Sequence, residues 1–246
     1  MEELLQNPSP TAPRPLAFSV LRIPFFLEPG YDESQPFIET NRERLIQKWG
    51  GEQGWEVQKQ RHDLKGRGLE AGIPHFNLDR LASNTMASHR LIQFIGKQYG
   101  LGTSEAVYDL LNQYYFVDGH SLNDKPKLAS VVAAHLQELL QNRKDVDAPT
   151  EQELLDFLES DEGRENIMNA VSALKQLGIN SIPKFIIEGT TMVDGAAHAA
   201  TFISIFREIE ARGTVQGTAI FNDVLGVTDE LVAKGSHVPT TNMSAS

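Results

Sequence analysis

The sequence predicts an α/β fold in which a small sheet, drawn from the two ends of the chain, is separated by a long run of helices. Three observations carry this. Residues 174–209 (LKQLGINSIPKFIIEGTTMVDGAAHAATFISIFREI) read in the order helix, proline, hairpin, helix. Residues 16–27 (LAFSVLRIPFFL) are apolar enough for a strand. Between them, residues 34–177 repeat apolar positions at helical spacing.

The C-terminal stretch has a local cause at each step. Gly178 can take the left-handed conformation that ends a helix. Phe185, Ile186 and Ile187 form the short apolar run of an inner strand over residues 184–188, and Glu188-Gly189 supplies the tight link to a second strand ending near Val193. Pro183 stands ahead of the first strand, where its missing N–H removes no ladder bond. After Asp194-Gly195, Phe202, Ile205, Phe206 and Ile209 recur on one helical face for packing on the sheet, while Arg207, Glu208 and Glu210 are expected to face water.

At the other end, residues 1–15 (MEELLQNPSPTAPRP) hold four prolines among the last eight. They read as a flexible leader that joins no sheet interior. In residues 16–27, Phe18, Val20 and Arg22 mark an alternation broken at Pro24, and Glu28-Pro29-Gly30 turns the chain.

The insertion is a succession of capped helices. Ser34 and Pro36 are placed to open the first, with Ile38, Leu45, Ile46 and Trp49 inward and Gly50-Gly51 stopping it. A second runs over residues 55–69. Asn84 is a natural N-cap for a third, with Ala87, Leu91, Phe94 and Ile95 inward and an end at Gly100. Thr103 or Ser104 starts a fourth, which runs through Tyr114, Tyr115 and Phe116. Pro126 opens a fifth that buries Leu128, Val131, Val132, Leu136 and Leu139. Thr150 and Glu153 have capping-box spacing ahead of Leu154, Leu155, Phe157 and Leu158. A last helix over residues 164–177 places Ile167, Ala170, Val171, Leu174 and Leu177 on one face. Beyond Gly213 the apolar anchors thin to Ile220, Phe221, Val224 and Leu225, which predicts a docked segment to about residue 234 and then a disordered tail.

Composition narrows the chemistry. With 246 residues and 40% hydrophobic content the chain can bury a real core. A formal charge of −11 argues against a sequence-independent grip on nucleic acid. No apolar run approaches a membrane span, and Met1-Glu2-Glu3 is the wrong opening for a secretory signal, so a soluble, cytoplasmic protein is expected. The chain has no cysteine. It can supply no thiolate nucleophile, no disulfide and no cysteine-held metal.

Gly178, Ile182-Pro183, Phe185-Ile186-Ile187, Gly195 and the closing helix together resemble the C-terminal half of the thioredoxin fold in its DsbA-like branch. The segment RPLAFSVLRIPFFLEPGY (residues 14–31), the stretch Asn84-Thr85-Met86-Ala87-Ser88-His89-Arg90, and the aromatics before the loop at Gly119 resemble the FrnE-like and 2-hydroxychromene-2-carboxylate isomerase group. The resemblance covers roughly residues 16–212. It implies an incomplete thioredoxin-like sheet: a core of residues 16–33 and 178–213, a DsbA-like helical insertion at 34–177, and a C-terminal segment at 214–246. It also implies a cis bond at Ile182-Pro183, which turns the backbone of Ile182 outward toward an extended ligand.

Family members carry a first strand, a Cys-Pro-Trp-Cys type motif and a helix upstream of the segment resembled here, and residues 1–15 match none of these. Three fillers for the missing strand are open: a rearranged sheet, a strand lent by another subunit, or a start that omits residues.

The groove implied by the resemblance is lined by Pro24, Phe25, Phe26, Asn84, Ile182 and Pro183, and suits a small aromatic or polyketide-like molecule. His89 is the candidate acid or base, since imidazole titrates near neutrality. A packed histidine bridging its helix to a neighbour is the competing reading. Position 93 is Gln, so no helical metal pair forms with His89, and no metal site is expected. Ala196-Ala197 stands where glutathione-using relatives resemble Gly-Ser-Asp, which disfavours glutathione; no cofactor is expected. The activity implied is an accessory step of secondary metabolism without a thiol, such as isomerisation or dehydration. The alternative is a non-catalytic protein that binds a second copy or a partner enzyme through an unpaired sheet edge.

Overall fold

A computed structural model describes residues 1–34, 39–70, 72–73, 75–143 and 146–235. In chain order its elements are α1 (Glu2–Gln6), α2 (Asn41–Lys48), α3 (Glu52–His62), α4 (Leu64–Glu70), α5 (Met86–Tyr99), α6 (Leu101–Asn112), a π-helical turn (Gln113–Val117), α7 (Lys125–Leu140), α8 (Glu151–Glu159), α9 (Arg164–Gln176), β1 (Lys184–Ile187), β2 (Thr191–Asp194), α10 (Ala199–Arg212), α11 (Asn222–Leu225) and α12 (Asp229–Lys234). No helix among the described residues is long and apolar enough to cross a membrane. The chain divides into two compact units, Met1–Phe25 with Ile92–Ala106 and Gly163–Ser246, and Phe26–Leu91 with Val107–Glu162. The boundaries between the ranges at residues 91/92 and 106/107 fall within α5 and α6.

The first unit is built on the antiparallel hairpin β1–β2, in which Lys184 pairs with Asp194, Phe185 with Val193, Ile186 with Met192 and Ile187 with Thr191. The turn is as expected: Glu188 and Gly189 have φ of 48° and 74°. A Cβ on Gly189 would lie 2.1 Å from the Thr218 carbonyl oxygen, so both the conformation and the close approach require glycine. Side chains alternate across the strand. Phe185 meets Phe202 of α10 edge-on at 4.8 Å. Ile186 points the other way, into a core of Leu101, Ala170, Leu174, Ile179, Phe221, Leu225 and Val227. Helices therefore cover both faces of the hairpin. The docked segment after Gly213 is present as α11 and α12, with Phe221 and Leu225 buried, although Ile220 is exposed. The expected tail falls at residues 236–246, outside the described residues.

The expected strand at residues 16–27 is not one: the segment forms no ladder, and the described sheet has two strands. It keeps a strand's alternation nonetheless. Leu21, Ile23 and Phe25 pack on the same core as Ile186, whereas Phe18 meets Phe206 of α10 edge-on at 4.9 Å. Side chains tie the segment down in place of a neighbouring strand. Gln93 Nε2 donates to the Arg22 carbonyl at 2.6 Å, Arg22 forks onto buried Glu105 at 2.8 and 2.7 Å, and Ser19 Oγ donates to the Val232 carbonyl. Pro24 removes one donor outright.

The leader is also not loose. Residues 2–6 form α1, Leu4 is 1% exposed, and α1 packs against α10. Ser9 N–H donates to Glu210 Oε1 at 2.9 Å, Arg207 Nη1 to Glu210 Oε2 at 2.6 Å, and Arg207 Nη2 to the Asn7 carbonyl at 2.7 Å. Glu210, expected in water, is buried. Helical spacing places it beside the apolar stripe, and the leader covers it.

In the second unit, α7 packs on α8, and Leu128, Val132, Leu136 and Leu140 of α7 and Leu154, Phe157 and Leu158 of α8 are buried. Leu140 takes the place expected for Leu139, which is exposed. Similarly, in the first unit, α9 buries Ile167, Ala170 and Leu174 and leaves Leu177 out. The Thr150–Glu153 capping box forms as its spacing predicts, and Asp124 caps the helix that Pro126 opens. Pro36 and Ile38 lie outside the described residues; the first helix of this unit starts at Asn41 under a second capping box, Thr40 with Glu43. The expected helix 55–69 is two, α3 and α4, broken where Asp63 turns left-handed at φ 37°. α6 begins at Leu101, directly after Gly100, rather than at Thr103 or Ser104.

Candidate functional site

The seven residues singled out from the sequence divide between the two units. Pro24, Phe25, Ile182 and Pro183 fall in the first. Phe26, Asn84 and His89 fall in the second.

In the first unit the peptide bond Ile182-Pro183 is cis. Helix α9 ends at Gln176 with Leu177 as its C-cap, Gly178 follows with φ 70°, and the chain then runs to Pro183 and straight into β1. Gly195 N–H donates to the Pro183 carbonyl at 3.0 Å, so the hydrogen-bonded pairs of the ladder are 183/195, 185/193 and 187/191. The backbone groups of Lys184 and Ile186 therefore point away from β2. No third strand pairs with β1 among the described residues. Ile182 and Phe185 are 47% and 40% exposed, and Pro183 between them is exposed as well. An apolar strip thus borders an edge with outward-facing polar backbone. Lys184 is ion-paired to Asp194 across the hairpin and is not a spare cation. Pro24 is buried and Phe25 is half-buried in the core, so of these four residues Ile182 and Pro183 are the accessible ones.

In the second unit Asn84 is 4% exposed and fully engaged. Its Oδ1 accepts from Met86 N–H at 2.8 Å, capping α5, and its Nδ2 donates to the Tyr31 carbonyl at 2.7 Å. Asn84→Ala should therefore lower stability by about 1–2 kcal/mol, read in a urea melt. An unchanged midpoint would show that neither bond matters. His89 is half-buried, with its ring edge-on to Phe26 at 5.3 Å.

The neighbouring Arg90, which the sequence reading passed over, is 4% exposed and donates to the carbonyls of Phe157, Leu158, Ser160 and Glu162 at 2.7–3.2 Å.

Titration is perturbed elsewhere in this unit. Burial, with Asp124 and Asp118 nearby, pushes the Tyr114 phenol up to about 12. It is a neutral donor at any physiological pH. Burial also moves His135 below its ordinary value.

No family model matches the chain, and no curated protein matches it. Among solved structures, a probable DsbA oxidoreductase from Streptomyces coelicolor is similar, with a TM-score of 0.58 and 21% sequence identity over 80% of this chain and 76% of that one. The hairpin flanked by helices, the cis proline and the long helical insertion accordingly make this a DsbA-like thioredoxin fold, carried by a chain without cysteine.

Proposed function

We propose that the chain handles a small aromatic or polyketide-type molecule without thiol chemistry, as an accessory enzyme of the FrnE-like and isomerase kind in secondary metabolism. The observation that supports this most is the exposed strip of Ile182, Pro183 and Phe185 beside the outward backbone of β1. Apolar side chains next to amide and carbonyl groups that no strand pairs among the described residues suit a flat, sparingly polar ligand. His89, which lies in the second unit, is the candidate acid or base for an isomerisation or dehydration that needs no external electron acceptor, and its part is tested separately from that of the edge. No cofactor, glutathione included, takes part, and the site of action is cytoplasmic.

The test is complementation of a deletion strain of the native host, followed by metabolite profiling. Ile182→Glu, at an exposed position, should abolish product while leaving the melting temperature unchanged, and Phe185→Glu should abolish product with some loss of stability, because its ring also packs on Phe202. His89→Ala should reduce product by about a hundredfold, the usual scale for a lost acid or base. Full product with His89→Ala but none with the edge variants points instead to a non-catalytic protein that presents β1 to a partner enzyme or a second copy. Full product from all three overturns the proposal.

A further inference from the structure

Helices α3 and α4, in the second unit, present aliphatic and cationic side chains together at the surface. Val57, Leu64 and Leu69 are 62%, 43% and 55% exposed. Lys59, Arg61, Lys65 and Arg67 stand among them and are exposed as well. In a chain of net charge −11, residues 57–69 hold these four cations against one acid, Asp63, for a local charge of +3. Asp63 Oδ1 accepts from Gly66 N–H at 3.2 Å, at the break between the two helices. Glu56 and Glu70 bound the stretch, and Lys59 pairs with Glu56 at 3.4 Å. Among the described residues Arg61, Lys65 and Arg67 form no ion pair.

One side of α3 is fixed to the protein. Trp55 is buried and stacks on Trp49 with ring centroids 5.6 Å apart. Val57 lies roughly 200° round the helix from Trp55, and Arg61 follows it one turn later. Glu52 and Glu56 sit about 100° or more from Val57 on that circle. The same pairing recurs in α4, where Arg67 comes three residues after Leu64 and Lys65 four residues before Leu69. Each of the three exposed aliphatic side chains therefore has a cation one turn away.

Such interleaving suits the boundary between hydrocarbon and charged headgroups. Aliphatic ends enter the acyl layer there, while the long stems of Arg and Lys lie beside them and carry their charges up to the phosphates. A protein interface is sorted differently, with charges kept to the rim and Lys depleted. We propose that α3 and α4 dock the chain on the surface of an anionic lipid bilayer, with Val57, Leu64 and Leu69 inserted and Arg61, Lys65 and Arg67 on the headgroups. The contact is peripheral, and no helix among the described residues is built to cross a membrane. The acidic remainder of the chain does not forbid it, because at physiological salt charges more than about 8 Å from the headgroups are largely screened. The surface is separate from the edge at Ile182 and Pro183, which belongs to the first unit, and its test reads binding rather than product.

The full chain is sedimented with vesicles of equal parts phosphatidylglycerol and phosphatidylcholine, and with vesicles of phosphatidylcholine alone. Half of it should be bound at about 1 mM anionic lipid in about 0.1 M salt, and at least about tenfold less with the neutral vesicles. Raising the salt to about 0.5 M should release it. Arg61→Gln and Lys65→Gln should each cost about fivefold in partition, and the pair about 25-fold. Val57→Ser with Leu69→Ser should cost about tenfold and leave the salt dependence as it was, which separates insertion from charge alone. All four positions are exposed, so the variants should fold, and circular dichroism checks that they do. The comparison of the two vesicles needs no variant. No sedimentation with the anionic vesicles, equal binding to both kinds, or unchanged binding in either folded double variant overturns the proposal. Retention on immobilised poly-glutamate by a chain that ignores the vesicles marks an acidic protein as the partner and overturns it as well.

Discussion

Arg90→Met should destabilise the chain by about 3–5 kcal/mol, the range for breaking a buried charged network from one side. Several carbonyl groups lose a charged donor at once. Arg90 Nε donates to Glu162 at 2.8 Å, Nη1 to Leu158 at 3.2 Å, and Nη2 to Phe157 at 2.9 Å and Ser160 at 2.7 Å, all to carbonyl oxygens. Phe157 and Leu158 belong to the last turn of α8, where carbonyls have no partner within the helix and carry the negative end of its dipole. The guanidinium also lies 5.0 Å from the Phe157 ring.

Methionine matches the stem of arginine but satisfies none of these carbonyls. Lysine, a point donor on a flexible chain, cannot span four acceptors and should recover little. For a chain of this size the loss corresponds to a fall in melting temperature of about 10 °C. A loss below about 1 kcal/mol would mean that water replaces Arg90 at these carbonyls without penalty.

Leu4→Ala should cost about 2–4 kcal/mol, the usual penalty for truncating a buried leucine. A flexible leader predicts no cost at all, so the measurement separates the two descriptions directly. The same docking should be sensitive to acid. The Ser9 amide and the Arg207 guanidinium hold the Glu210 carboxyl below its ordinary value of 4.5. A depressed carboxyl favours the docked state fully above about pH 4.5, and this contribution fades as pH falls through the lower, docked-state value. Hydrogen exchange at the Ser9 amide should therefore be slow at neutral pH and accelerate, relative to its intrinsic rate, in the acid range. Glu210→Gln retains an oxygen to accept from Ser9 but cannot titrate, so its protection should not respond to acid. Identical pH profiles for the two proteins would remove Glu210 from the account.

Where the determinants are local, the sequence is a good guide. Thr150 with Glu153, Asn84 two residues before Met86, and Pro126 near the start of α7 act within one turn of helix, and each element appears where those residues place it. The hairpin behaves likewise, since Glu188-Gly189 and the alternation of β1 need no distant partner to be recognised. Of the residues expected at a ligand groove, Ile182 and Pro183 lie exposed at the edge of β1, whereas Asn84 is occupied as a cap and a tether. Arg90 was invisible from its own neighbourhood, because what distinguishes it is the carbonyls that another segment brings.

By itself, then, the sequence determined the order of helices, the hairpin behind Pro183, and the exclusion of thiol chemistry, because caps, turns and composition act over a few residues or none. Tertiary structure alone decided that residues 16–25 lie extended without a ladder, that the leader docks on α10, and that Glu210 is buried. The physical reason is common to all three. A strand needs a neighbour's backbone, and a buried carboxylate needs donors; in this chain the groups that settle both questions lie from tens of residues to nearly the full length of the chain away.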